Sequence, residues 1–121
     1  MTTYLINHLR VPGLPNEEIL RYLEQVQATA EPYGGRWLAQ DAEVQVLEGA
    51  WPGSVVLMEF PDMAKARAWY DSKEYRSILH LRANHTINDM ILVDAVGPGF
   101  STAGYAHQLR GMLSGQPAVE D

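Results

Sequence analysis

The chain has 121 residues, of which 46% are hydrophobic and 20% charged, with a formal net charge of -6 and a pI near 5.1. That length suits one domain with a proper core, and the acidic balance argues against a nucleic-acid binder, which needs basic surface to neutralise phosphates. Cysteine is absent, which excludes disulfides, thiolate nucleophiles and cysteine-ligated metals; the apolar runs are strand-sized rather than membrane-sized, and Met1-Thr2-Thr3-Tyr4 lacks the layout of a secretory signal, so a cytoplasmic protein is expected.

Residues 2–10 alternate. Tyr4, Ile6, His8 and Arg10 fall on one side and Leu5, Asn7 and Leu9 on the other, which predicts a strand. Val11-Pro12-Gly13-Leu14-Pro15 breaks it. Asn16 then stands ahead of Glu17 and Glu18, an N-cap side chain followed by carboxylates near the positive end of a helix dipole. Ile19, Leu23, Val26, Ala30 and Tyr33 share one face of that helix at 3.6-residue spacing. Pro32 makes its last turn irregular, and Gly34-Gly35 closes it.

Residues 36–40 and 44–48 read as two short strands around Asp41-Ala42-Glu43, followed by a loop that carries Trp51 and Pro52. Residues 55–60 form the next expected strand, stopped by Pro61. Asp62 caps a helix whose packing face holds Met63, Ala66 and Tyr70, with Trp69 beside them. Ser72 caps another, in which Tyr75, Ile78, Leu79 and Arg82 share a face. Asn84 ends it, and residues 86–96 are the last strand. Gly97-Pro98-Gly99 is a hinge. Beyond it Tyr105, Leu109 and Met112 make a weak helical stripe, while Gly111, Gly115 and Pro117 argue against a long helix. The expected organisation is one domain over 1–96 and a tail over 97–121, mobile or with one short docked helix.

The order β-α-β-β-α-β is the ferredoxin-like α+β plan, an antiparallel sheet with helices on one face. Val55-Val56-Leu57-Met58 and Met90-Ile91-Leu92-Val93 are nevertheless apolar on both faces, a pattern of strands covered on both sides. One small domain has helices for one side only. The simplest second cover is the same sheet of another copy, so a homodimer through the sheet face is expected.

Five pieces occur in a set order: Tyr33-Gly34-Gly35-Arg36; Glu48-Gly49 with Trp51-Pro52; Val56-Leu57-Met58-Glu59-Phe60-Pro61; Ala68-Trp69-Tyr70 with Ser72, Glu74 and Tyr75; and Leu81-Arg82. Together they resemble the DUF1330 family of the dimeric α+β barrel superfamily, over residues 2–96. The resemblance implies that fold and its dimer. The wider superfamily includes cofactor-free monooxygenases acting on polyketide-like aromatics, polyketide cyclases, haem enzymes like chlorite dismutase, and muconolactone isomerases. The segment after Gly97 looks like an addition to the family's usual length.

Arg82 is the sharpest candidate for chemistry. A guanidinium on an apolar helix face needs an anion or several acceptors. Glu59 or Glu48 could supply the anion from within the protein; a ligand carboxylate or enolate is the functional alternative. His8 could act as a general base at working pH, or sit at the sheet rim bonded to backbone or water. Tyr75 could move a proton beside Arg82. Asn7, on the face opposite His8, could orient a ligand carbonyl or be a satisfied amide. Trp37, Trp51, Glu59, Trp69 and Tyr70 are candidate pocket residues, though aromatics at helical spacing also build cores. Trp51, in its Pro/Gly loop, suits a rim or an interface.

His80 is expected to face solvent, and His85 follows at the wrong spacing for a metal pair. No metal site and no cofactor is expected: a phosphate-cradling glycine loop and a serine-nucleophile elbow are both missing. Three readings remain open. One is a small cofactor-independent enzyme of monooxygenase, cyclase or isomerase type, acting on an aromatic or polyketide-like anion held by Arg82. Another is a non-catalytic dimeric binding or stress-associated protein. The third, resting on the Gly97 hinge, is an assembly protein that uses its tail to contact a partner.

Overall fold

A computed structural model of the chain describes residues 1–115; residues 116–121, with Pro117 and the end of the expected tail, lie outside the described residues. Three side chains start the three helices of the 1–96 unit. Asn16 accepts from the Ile19 N–H at 3.0 Å and starts α1 (Glu17–Ala30). Asp62 accepts from Lys65 at 2.8 Å and starts α2 (Met63–Tyr70). Ser72 accepts from Tyr75 at 3.2 Å and starts α3 (Lys73–Ala83). Each cap satisfies one of the amide donors that a helix start leaves without a partner.

Four strands complete the unit: β1 (Thr3–Arg10), β2 (Arg36–Gln40), β3 (Ser54–Phe60) and β4 (Ile87–Asp94). They form one antiparallel sheet in the order β2-β3-β1-β4. This is the ferredoxin-like α+β fold. Gly34 takes the left-handed conformation (φ 77°) that closes the short 3₁₀ turn Glu31–Tyr33, and a Cβ there would lie 2.7 Å from the Pro61 ring. The turn therefore needs glycine both for its backbone and for its space.

One face of the sheet carries Leu5, Asn7, Met58 and Phe60 and packs on the helices. Its core includes Tyr22, Val26, Ala30, Trp69, Tyr75 and Ile78, all nearly inaccessible. The other face carries Tyr4, Ile6, His8, Val55, Leu57, Ile91 and Val93, by the pairing of β1 with β3 and β4. No helix covers it. Ile87, Ile91 and Val93 are 49%, 55% and 42% exposed there.

Three expectations change. Residues 44–48 are not a strand but part of an exposed loop, with Leu47 92% exposed. β2 pairs directly with β3, so an extended piece between them has no place in the ladder. In α1, Tyr22 and not Leu23 joins Ile19, Val26 and Ala30 on the buried side. In α3, Leu81 is buried and Leu79 only half so. After β4 comes α4 (Thr102–Gly115), fourteen residues long, with every residue exposed. No helix among the described residues is long and apolar enough to cross a membrane.

Candidate functional site

Arg82 lies on the dry face of α3 and is only 8% exposed. Its Nη2 donates to the Tyr75 hydroxyl at 3.1 Å. That hydroxyl in turn meets the Tyr22 hydroxyl of α1 at 2.9 Å. The guanidinium carbon stands 5.5 Å from the centre of the Tyr22 ring, a distance at which the ring's negative face attracts a cation. Among the described residues no carboxylate forms an ion pair with Arg82, and its Nε is buried without a partner. A buried guanidinium stays charged. Here it is met by neutral oxygens and a ring rather than by an anion.

Arg82 also lines a pocket of about 140 Å³ between the sheet, α1 and the chain around Val11 and Pro15. Its walls are mostly apolar, from Leu9, Ile19, Leu20, Leu23 and Val56, and Asn7, Tyr22, Gln40 and Thr86 contribute polar groups beside Arg82. Burial, with the Tyr75 hydroxyl beside it, pushes the Tyr22 phenol well above its ordinary value. Tyr22 is therefore a neutral hydroxyl, fit to share hydrogen bonds and not to take a proton. Asp41 stands at the mouth, in the left-handed region (φ 55°), with its N–H donating to the Val55 carbonyl. Asp and Asn tolerate that conformation better than most residues.

The family model described as "Domain of unknown function (DUF1330)" matches residues 2–96. The chain belongs to the DUF1330 family. No curated protein matches it by sequence. Among solved structures, the DUF1330 unit resembles RPA0582, a protein of unknown function from Rhodopseudomonas palustris, at a TM-score of 0.63 and 18% identity over 80% of this chain and 84% of that one. It also resembles SnoaB, a cofactor-independent oxygenase from Streptomyces nogalater, at 0.53 and 13% over 83% and 97% of the two chains. A structure described as an antibiotic biosynthesis monooxygenase aligns at 0.51 and 23%, over 80% and 100%. At such identities the likeness is one of fold. α4 lies outside the DUF1330 match.

The candidates separate into two groups on opposite faces of the sheet. Arg82, Tyr75 and Asn7 come together on the helix side. His8, Trp51 and Glu59 lie on the open side. His8 stacks on the Trp51 ring, centroids 4.1 Å apart, and its Nε2 is buried without a partner among the described residues. Gly53 makes that stacking possible: a Cβ there would collide with the Leu9 carbonyl and come within 2.9 Å of the His8 ring. His8 is thus separated by the sheet from a ligand beside Arg82 in the same copy. Glu59 pairs with Arg36 across β2 and β3, so it does not neutralise Arg82. Glu48 lies in the exposed loop and makes no ion pair among the described residues.

The remaining aromatics build structure. Trp69 is 1% exposed, tilted against Phe60 and Tyr75, and its indole N–H donates to Thr29 at 3.0 Å. Tyr70 lies under the Arg76 guanidinium and borders a surface groove with Met63 and Met90. Trp37 is half-buried on the helix side and donates to Gln40 at 3.1 Å. His85 bonds Glu18 at 2.7 Å. No group of three or more His, Cys, Asp or Glu that could hold a metal occurs among the described residues. Tyr22 is the site residue that sequence reasoning missed. Its signal was present: Ile19, Tyr22 and Val26 stand three and four residues apart, as a packed stripe requires.

Proposed function

We propose that this protein binds a small, largely apolar anion in the Arg82 cavity, and that it does so as a homodimer joined through the open sheet face. The observation that carries the reading is a buried guanidinium that lines a largely apolar cavity and has, among the described residues, an unpartnered Nε and no carboxylate. A charge so placed is a poor structural choice, because a hydrophobic residue of similar volume usually serves stability as well or better. It is a good choice for holding a carboxylate, phenolate or enolate, since low-dielectric walls strengthen the attraction. The exposed apolar row of the open face supports the dimer, and a solution mass of two chains at micromolar concentration checks it.

Thermal unfolding with benzoate as the probe tests the anion site. Saturating probe raises the melting temperature by several degrees in the unaltered protein. Arg82→Met removes that response while keeping or raising the melting temperature without probe. A marked loss of stability in Arg82→Met, with the probe response intact, sinks the reading.

A second reading has one observation in its favour. The fold is shared with a cofactor-independent oxygenase, and oxygenation without a cofactor asks a protein to hold the electron-rich, deprotonated form of its substrate in a dry place. Arg82 supplies the counter-charge for such an anion. Asp41 at the mouth is the carboxylate available to take a proton. Oxygen uptake with an enolisable or phenolic ligand that binds the cavity, abolished in Arg82→Met, is the expected result for catalysis. Binding without uptake leaves a carrier or sensor.

A further inference from the structure

Asn7 is 2% exposed and lines the cavity beside Arg82. Its amide sits at the end of a relay whose direction is fixed by chemistry. The Arg82 backbone carbonyl can only accept, so the Thr86 hydroxyl, 2.7 Å away, spends its proton there. The Thr86 oxygen is then left to accept, and it accepts from Asn88 Nδ2 at 2.7 Å. The Asn88 carbonyl oxygen must therefore face Asn7, whose Nδ2 donates to it at 2.9 Å. An amide with its nitrogen so committed turns its oxygen the other way. That oxygen, Asn7 Oδ1, is buried and has no partner among the described residues. The relay also settles which end of each amide is oxygen, an assignment that only the hydrogen-bond network can make.

Two residues that line the cavity thus carry unmatched polar atoms of opposite kind: among the described residues Arg82 Nε–H is a donor without an acceptor, and Asn7 Oδ1 is an acceptor without a donor. A simple carboxylate satisfies the first and leaves the second desolvated, which is costly. A ligand that satisfies both must carry an acceptor or anion together with a hydroxyl or N–H. The pocket volume, about 140 Å³, is close to that of cavities that hold a single benzene ring, roughly 150 Å³. We propose that Asn7 is a specificity-determining residue that selects small monocyclic or comparably sized acids bearing a hydroxyl group, reading the hydroxyl proton with Oδ1 while Arg82 reads the anion. This rests on the anion-binding reading of the cavity and names its ligand class. The sequence expectation gave Asn7 a ligand carbonyl to orient; the relay leaves it the opposite partner.

The test is calorimetric titration of the full chain with benzoate, the three hydroxybenzoate isomers and their methyl ethers. Using all three isomers avoids presuming the spacing between the two atoms. At least one hydroxybenzoate should bind about tenfold more tightly than benzoate and than its own ether, the worth of one buried hydrogen bond. Asn7→Leu should erase that preference while keeping benzoate binding. Thr86→Val supplies a readout that a merely structural role would not move. It cuts the relay without altering shape, frees both amides to turn, and should shift preference from the hydroxyl compound toward its ether. Benzoate binding that depends on Arg82 but shows no hydroxyl preference overturns the role of Asn7 and leaves the anion site standing. Equal preference in Asn7→Leu and the unaltered protein overturns it as well. If none of these acids binds at millimolar concentration, the anion site itself fails and takes the inference with it.

Discussion

The two faces of the sheet differ in how they treat polar groups. On the helix face, polar side chains are buried in relays: Tyr22–Tyr75–Arg82 and Asn7–Asn88–Thr86. On the open face they stand at the corners as ion pairs, Arg10 with Asp89 and Arg36 with Glu59, around an apolar centre of Ile6, Leu57 and Ile91. The first arrangement suits small-molecule recognition, because buried polar atoms discriminate by what they leave unmatched. The second suits association with a flat partner, because an apolar centre with a charged rim is how interfaces are built. One sheet thus presents two unlike faces, and β1 contributes to both, with Asn7 facing one way and His8 the other.

Truncation is the strongest way to press this contrast. Phe60→Ala on the helix face should cost about 3–5 kcal/mol, the usual range for a buried aromatic, measured by denaturant unfolding. Ile91→Ala on the open face should cost less than about 1 kcal/mol in any condition that keeps single chains apart. Equal losses would show that the open face is core in its own right. A charge on the open face sharpens the same point. Ile91→Asp should halve the mass in solution by light scattering and leave the fold of each chain intact by circular dichroism, since a buried unpaired carboxylate opposes association. An unchanged mass would show that this face is not the one that pairs.

Much of this was legible in the sequence, for reasons tied to particular residues. The alternation of residues 2–10 defined β1 and its two side-chain sets, and Asn16, Asp62 and Ser72 each announced a helix start through a local hydrogen bond that needs no tertiary context. Arg82 was legible as a charge on a dry face. Its partners were not. Glu59 shares the strand face of Val55 and Leu57, but which face the helices cover depends on the whole packing and not on alternation. Residues 44–48 misled because Val44, Val46 and Leu47 imitate a strand, while β3 already pairs with β2 and these residues join no ladder among the described residues. Tyr22 lost to Leu23 because both fit a 3.6-residue stripe; the Tyr75 hydroxyl on a separate helix decides between them.

A milder test of the buried relay uses alkali. The folded protein holds the Tyr22 proton more firmly than the unfolded chain does, chiefly through burial. This contribution is complete below about pH 10, the ordinary phenol value, and declines as pH rises above it. Tyr22→Phe should lower stability by about 1 kcal/mol at neutral pH and flatten the alkaline decline, read by unfolding at pH 8 and above. The smallest effect belongs to a surface pair. The hydrogen bond from His85 holds the Glu18 carboxyl below its ordinary value. Its contribution is present above that value, 4.5, and is lost as pH falls through the lowered one. Glu18→Gln should therefore slightly reduce stability at neutral pH and make unfolding below pH 4.5 a little less steep; any larger change would show the pair to be more than a solvated contact.

The helix α4 carries a consequence of another kind. It contains Gly104, Gly111 and Gly115, buries nothing, and has fourteen residues, a length at which an isolated helix in water is marginal. In a lone chain its amides should therefore exchange with solvent almost as fast as those of an unfolded peptide, while those of β1 and β3 wait for global unfolding. Its apolar stripe of Tyr105, Leu109 and Met112, each at least 39% exposed, gives any contacting molecule something to hold. Slow exchange in α4 would thus be a direct gauge of contact: the segment most easily lost from the fold is the one that records company most sensitively.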